Sequence, residues 1–383
     1  MRALRCYSWW AVTEKGLADV VAAETAISDI DGRLGKLWYV GYDIDDLARF
    51  STFEETVFLL HHRRLPDRDE LEEVTARLVE ERELDQWLQG LMPTFAEVAS
   101  PMSMLRTSVS AASAYDPDGW DQSSEASLRK ALRLVARFPT MIATYHRQRS
   151  GLEQVDPNPK LPHAANFLFM LTSEEPEEEF ARAFDVCMIL HADHTMNAST
   201  FVARVVASTL SDMHSAITAA IAALKGPLHG GANEAVHHML EEIEDVDAVE
   251  PYIRDLLRRK QKIMGFGHRV YKGEDPRAAH LRRLSRELGQ RTGDTHWYEL
   301  SERMEKVVQD EKGLSPNVDF YAASVYHSLG IPTDLMTCVF AASRVAGWTA
   351  HVREQLADNR LIRPESEYIG PRNQRYVPVE DRS

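Results

Sequence analysis

Helical periodicity constrains this chain more than any other feature. From about residue 50 to residue 360, apolar side chains recur at three- and four-residue spacing and are punctuated by stop signals, while strand-like alternation is sparse. The expectation is an all-α protein. Phe53 to His62 forms one such stripe, ending near Pro66, and Phe180 to Leu210 a longer one. Ser215 to Leu224 stops at Gly226-Pro227. Asp334 to Leu356 starts after Gly330 and Pro332 with Thr333 placed to cap it. Only Val20 to Ile30 and Leu37 to Val40 read as strands, with Asp31-Gly32 as the turn of a short N-terminal β-hairpin. Taking the two glycine-proline punctuations as hinges makes residues 228–330 a smaller domain inserted into a larger one of residues 1–227 and 331–383.

Charge and composition remove several function classes. A net charge of −15 over 383 residues opposes polyanion binding, so nucleic acid is not an expected partner and any anionic ligand must meet a local positive site. The acidic stretches Glu174 to Glu179 and Glu241 to Glu250 read as solvated helix faces. No apolar run reaches the roughly 20 residues of a membrane span, and the first residues, with Trp9 and Trp10 beside Arg2 and Arg5, lack a signal peptide's apolar stretch. Cys6, Cys187 and Cys338 show no paired spacing, so neither disulfides nor a thiolate metal site is expected. A reducing cytoplasm fits these features.

Four clusters put polar groups into apolar surroundings. In the first, His191-Ala192-Asp193-His194 leads through Asn197 to Thr200; read as helix, His191, His194 and Asn197 share one inward face. In the second, Lys225-Gly226-Pro227-Leu228-His229-Gly230-Gly231 brackets one histidine with glycines that let backbone approach a ligand. An ordinary helix–helix turn is the alternative. Third, Gly265-Phe266-Gly267-His268, with Lys262, Arg269 and Lys272 nearby, offers a phosphate-receiving loop, and Arg277 after Pro276 a bidentate carboxylate fork. A basic surface loop would look similar. Fourth, Asp319 follows Ser315-Pro316-Asn317 at a helix start, where a carboxylate also suits the helix dipole. Arg344 lies among Met336, Val339, Phe340, Val345 and Trp348, and a buried guanidinium demands an anion.

Taken together, the segments HADH-x-x-NAST, GPLHGGANE, GFGHRVYK-x-x-DPR and NVDFY resemble the citrate synthase family in type and order. The likeness runs from Ile30-Asp31-Gly32 to Tyr368-Ile369-Gly370-Pro371. It implies a helical homodimeric acyltransferase that condenses acetyl-CoA with oxaloacetate and hydrolyses the thioester, without a cofactor. By that resemblance His229 supports the thioester oxygen, Asp319 removes the methyl proton and His268 polarises the ketone. His194, Arg277 and Arg344 would bind oxaloacetate, joined by Arg363 from the partner subunit. CoA would lie along Gly265-Phe266-Gly267, with Lys262, Arg269 and Lys272 as phosphate candidates. Leu228 and Arg269 favour acetyl-CoA over the propionyl-CoA of 2-methylcitrate synthases. A different class, a metal-dependent helical phosphohydrolase, would use His191, Asp193 and His194 as ligands.

Overall fold

A computed structural model describes residues 15–17 and 20–382. The reading of residues 1–10 as unlike a signal peptide, and Cys6, fall outside the described residues. Residues Thr25–Arg360 form one compact unit, and the described residues beyond that span form a second, small one.

The chain is mostly helical over its described residues. Its hairpin pairs β1 (Ser28–Asp31) with β2 (Lys36–Tyr39), and β2 with β3 (Tyr42–Asp43), both antiparallel. The helices that follow are α1 (Ile44–Phe50), α2 (Phe53–His62), α3 (Arg68–Glu80), α4 (Gln86–Val98), α5 (Pro101–Ala112), α6 (Ser124–Arg149), α7 (His163–Thr172) and α8 (Glu178–His191). After them come α9 (Ala198–Ser208), α10 (Met213–Leu224), α11 (Ala232–Glu241), α12 (Val249–Arg258), α13 (Pro276–Thr292), α14 (His296–Lys312), α15 (Val318–Ser328) and α16 (Met336–Ala357). No described helix is long and apolar enough to cross a membrane.

Local chemistry explains the boundaries. Thr52 caps α2 by accepting from Glu55 N at 3.2 Å, and Asp67 with Glu70 closes a capping box on α3. The hairpin forms where expected, but its first strand runs Ser28–Asp31, so it takes in only the last three residues of the Val20 to Ile30 stretch and includes Asp31 of the expected turn. Thr333 is not the cap of the last helix. Residues 333–335 make a 3-10 turn, and the Thr333 hydroxyl lies 3.1 Å from His237 Nδ1 instead.

The long stripe from Phe180 to Leu210 is two helices. Thr195 takes a left-handed φ of 50°, and Asn197 starts α9 by accepting from Thr200 N at 3.0 Å. Asn and Asp compete with helical backbone in this way, and the break means that His191, His194 and Asn197 do not share a helix face. Helix α16 is buried on nearly every side from Met336 to Val352, as a helix apolar all round must be, and packs against α2, α6, α8, α9 and α10.

That central helix touches the break directly. Gly347 N–H donates to Ala192 O at 3.1 Å, and a Cβ at Gly347 would lie 2.4 Å from both Ala192 O and Asp193 Oδ1. In an unencumbered helix Gly→Ala gains about 1 kcal/mol. Gly347→Ala should instead cost about 1–3 kcal/mol, because backbone cannot yield as a flexible side chain would. Urea unfolding checks the sign; a more stable variant would contradict the close approach.

Candidate active site

The turn between α8 and α9 is strapped from three sides through Asp193, which is fully buried. The Ser28 hydroxyl of β1 donates to Asp193 Oδ2, Tyr39 OH of β2 donates to Asp193 O at 2.8 Å, and His351 Nε2 of α16 lies 3.3 Å from Oδ2. Burial opposes the Asp193 charge, but His351, Arg344 and Ser28 outweigh it and hold its carboxyl below the usual range. The strapped turn presents His194 to the site.

His194 meets the third sequence cluster. Its ring lies 5.2 Å from that of His268 and 5.7 Å from that of Tyr271, whose hydroxyl is 3.3 Å from His194 Nε2. His268 Nδ1 accepts from Val270 N at 3.0 Å and from Tyr271 N at 3.2 Å. Its neutral ring therefore carries the proton on Nε2, ready to donate. Burial, then Arg277, pushes His268 down to about 4, and burial with Arg277, His268 and Arg344 holds His194 well below the usual histidine range. Both rings are neutral near pH 7.

Arg277 and Arg344, two of the three arginines marked for oxaloacetate, differ in kind. Arg277 donates from Nε to Asp275 Oδ1 at 2.9 Å and from Nη2 to Asp275 Oδ2 at 2.7 Å. Asp275 Oδ2 also accepts from Val318 N at 3.2 Å, which ties this pair to the start of α15. Arg344, only 2% exposed, donates from Nε to His191 O at 2.6 Å and lies over the Phe340 ring. It has no carboxylate ion pair among the described residues, and burial lowers it to about 10. Its charge nevertheless acts on His194, His229 and Asp319. A buried guanidinium so placed is an anion site.

Asp319 is set by the loop before it. Asn317 caps α15 by accepting from Asp319 N at 3.0 Å, while Asn317 N donates to Gly265 O at 2.9 Å and its amide to Gly267 O at 3.0 Å. Gly265 has φ of 79°, and a Cβ there would meet Phe320 and Val236 below 3.0 Å. The Gly-Phe-Gly loop and Asp319 are thus one folded unit. Burial raises the Asp319 carboxyl to about 6 against the pull of Arg277. Lys262, Arg269 and Lys272 are exposed around that loop.

His229 belongs to a hydrogen-bonded chain that the sequence did not reveal. Trp348 Nε1 donates to Ser199 Oγ at 3.1 Å, Ser199 Oγ donates to Asn197 Oδ1 at 2.7 Å, and His229 Nε2 lies 2.9 Å from Ser199 Oγ. Since the only Ser199 proton goes to Asn197, His229 must donate from Nε2, which leaves Nδ1 bare. Burial, then Arg344, lowers His229 to about 4, so this ring too is neutral. Offering a proton from Nδ1 requires the other tautomer of the ring, with the Ser199 hydroxyl turned to donate to Nε2.

Other residues separate. His191 is a core histidine, with Nδ1 2.7 Å from Cys187 O and its ring edge-on to Phe340. His191, Asp193 and His194 therefore face three different sets of partners, and the metal-ligand reading of them fails. Arg363 is exposed and lies in the second, small unit. Ser28, Tyr39, Ser199, Tyr271, Asp275 and His351 carried no local signal, since each acts through a contact distant in sequence or a turn.

Comparison with known proteins agrees with this geometry. The family described as "Citrate synthase, C-terminal domain" matches residues 16–365. Citrate synthase 2 of Bacillus subtilis is 51% identical, across 96% of this chain and 99% of its own length. The structure of citrate synthase from Pyrobaculum aerophilum superposes with a TM-score of 0.90 at 42% identity, covering 96% of this chain and 95% of that one. A citrate synthase from Thermoplasma acidophilum, in ternary complex with carboxymethyl coenzyme A and oxaloacetate, gives 0.90 at 33% identity, with 96% of this chain and 99% of that one covered.

The raised Asp319 carboxyl has a stability consequence. A carboxyl whose folded pKa exceeds its unfolded value favours folding below the unfolded pKa, and that contribution is lost as pH rises through about 6. Asp319→Asn should therefore be more stable than the parent at pH 7.5, with the advantage shrinking toward pH 4. Urea unfolding at the two pH values measures this; an equal or less stable variant at pH 7.5 would contradict the burial of the charge.

Proposed function

Because the chain belongs to the citrate synthase family, we propose that it condenses acetyl-CoA with oxaloacetate and hydrolyses the resulting thioester, as an acyltransferase whose acyl group becomes alkyl on transfer. The observation that carries this reading is the buried Arg344, which lacks a carboxylate partner among the described residues and lies within electrostatic reach of two candidate catalytic groups, His229 and Asp319, and of the substrate-binding candidate His194. A dicarboxylate supplies its missing anion. His194 and Arg277 complete the oxaloacetate site, with Arg277 shared between substrate and Asp275.

The chemistry follows from the protonation states. A thioester α-proton is too weakly acidic for a lone carboxylate, so Asp319 removes it only as the enolate oxygen is stabilised from the other side by His229. His229 serves in its other tautomer, its proton moved from Nε2 to Nδ1 by exchange with solvent, and the Ser199 hydroxyl turns from Asn197 to donate to the bare Nε2. The new carbon nucleophile attacks the ketone of oxaloacetate while His268 Nε2–H donates to the ketone oxygen. CoA lies along Gly265-Phe266-Gly267, with Lys262, Arg269 and Lys272 nearest its phosphates. The division into residues 228–330 and the remainder belongs to this proposal: His229, His268, Arg277 and Asp319 fall in the first, His194 and Arg344 in the second. So do a cytoplasmic location, a mechanism without metal or redox cofactor, and a preference for acetyl-CoA over propionyl-CoA drawn from Leu228 and Arg269.

Free thiol release tests the reading. CoA should appear from acetyl-CoA only with oxaloacetate present and should survive chelation, with kcat/KM rising through pH about 6 as Asp319 loses its proton. Asp319→Asn should lower kcat by about 10²–10⁴. Near-normal turnover in that variant would reject Asp319 as the base.

We assign Arg363 to the partner subunit's site. Pro364 after it resists helix continuation, so the segment can extend toward a neighbour. Asp319→Asn and Arg363→Ala proteins, each nearly inactive, should recover roughly a quarter of parental activity when unfolded together and refolded, since half the dimers are mixed and half their sites carry neither defect. No recovery, with mixed dimers demonstrated by mass spectrometry, would place Arg363 in its own subunit's site.

A further inference from the structure

The last turns of α11 hold three side chains for which the reaction has no use. Glu241 Oε1 lies 3.5 Å from His237 Nδ1, and Oε2 lies 2.9 Å from His238 Nδ1. One ligand atom from each residue lies within 4.8 Å of the others. A tetrahedral ion with bonds of about 2.1 Å places its ligand atoms about 3.4 Å apart, so the observed spacings need only side-chain adjustment. Imidazole nitrogen and carboxylate oxygen together suit Zn(II) rather than Mg(II) or Ca(II).

The surroundings prepare one ligand and leave the others accessible. His237 is buried, with its ring 4.6 Å from that of Trp297 and 5.7 Å from that of His327. These contacts limit ring rotation, and the Thr333 hydroxyl lies 3.1 Å from Nδ1. His238 and Glu241 are exposed, which gives an ion a path from solvent. Helical spacing places Glu241 four residues from His237, on the same face.

We infer that His237, His238 and Glu241 form a binding site for one Zn(II) ion, with water as the fourth ligand. The ion takes over the His237 nitrogen that Thr333 now contacts. Occupancy therefore alters the contact between α11 and Thr333, which directly follows the Gly330-Ile331-Pro332 segment.

Counting bound zinc tests this. Chelator-stripped full-length protein, His238→Ala and Glu241→Gln are each dialysed against the same series of ZnCl2 concentrations. The parent should bind one more equivalent than either variant in the range where that site saturates, whatever zinc other histidines hold. Its unfolding midpoint should rise over the same range while those of the variants do not. Since both substituted side chains are exposed, the stripped variants should unfold like the stripped parent. Equal zinc in parent and variants, or a parent midpoint that zinc does not raise, would overturn the site.

Discussion

The guanidinium of Arg344 is the constraint on which the site depends. Removing such a charge from water costs several kcal/mol, and one carbonyl, His191 O, and one aromatic face, Phe340, return only part of that. The protein keeps the charge because its neighbours do not neutralise it. Asp275 is occupied by Arg277, and Asp193 by Ser28 and His351. Burial keeps His194, His229 and His268 neutral, helped by Arg344 at His194 and His229 and by Arg277 at His194 and His268, so they serve as hydrogen-bonding groups rather than as cations. Asp319, buried in that environment, is raised to about 6 and remains basic enough to take a proton near neutrality.

Holding these groups together requires unusual backbone. The break between α8 and α9 aims His194 into the site, and Gly347 lets α16 come close enough to fix that break. At the other side, Asn317 joins the Gly265–Gly267 loop to the start of α15, so displacement of the proposed CoA loop would displace Asp319 as well. The N-terminal hairpin takes part on both sides. Ser28 and Tyr39 secure the His194 turn, while Gly32 O accepts from Lys272 N at 2.8 Å in the loop after His268.

Much of this was legible from the sequence because its signals were local. Helical stripes fixed α2 and α10 nearly to the residue, Ser315-Pro316-Asn317 marked the start of a helix, and the glycines around Phe266 marked a loop. The stripe through residues 180–210 misled for a physical reason: apolar periodicity resumes in the same spacing on both sides of residues 192–197, while Asn197 starts a new helix there and the turn is held by Ser28, Tyr39 and His351, far away in sequence. Ser199 and Asp275 were hidden similarly. A serine in a helical turn and an aspartate before a proline are ordinary caps until a histidine or an arginine arrives from elsewhere in the fold.

Calorimetry of oxaloacetate binding to Arg344→Met, paired with urea unfolding of the ligand-free protein, addresses the central claim most directly. If Arg344 is a charge held in reserve for a substrate carboxylate, the apolar replacement should leave the ligand-free protein as stable as the parent or more so. Binding should weaken by about 30-fold or more, equivalent to the roughly 2–5 kcal/mol lost when one partner of a buried charge pair is removed. A variant that loses stability yet binds oxaloacetate like the parent would show that Arg344 holds the fold together and is not the substrate's anchor.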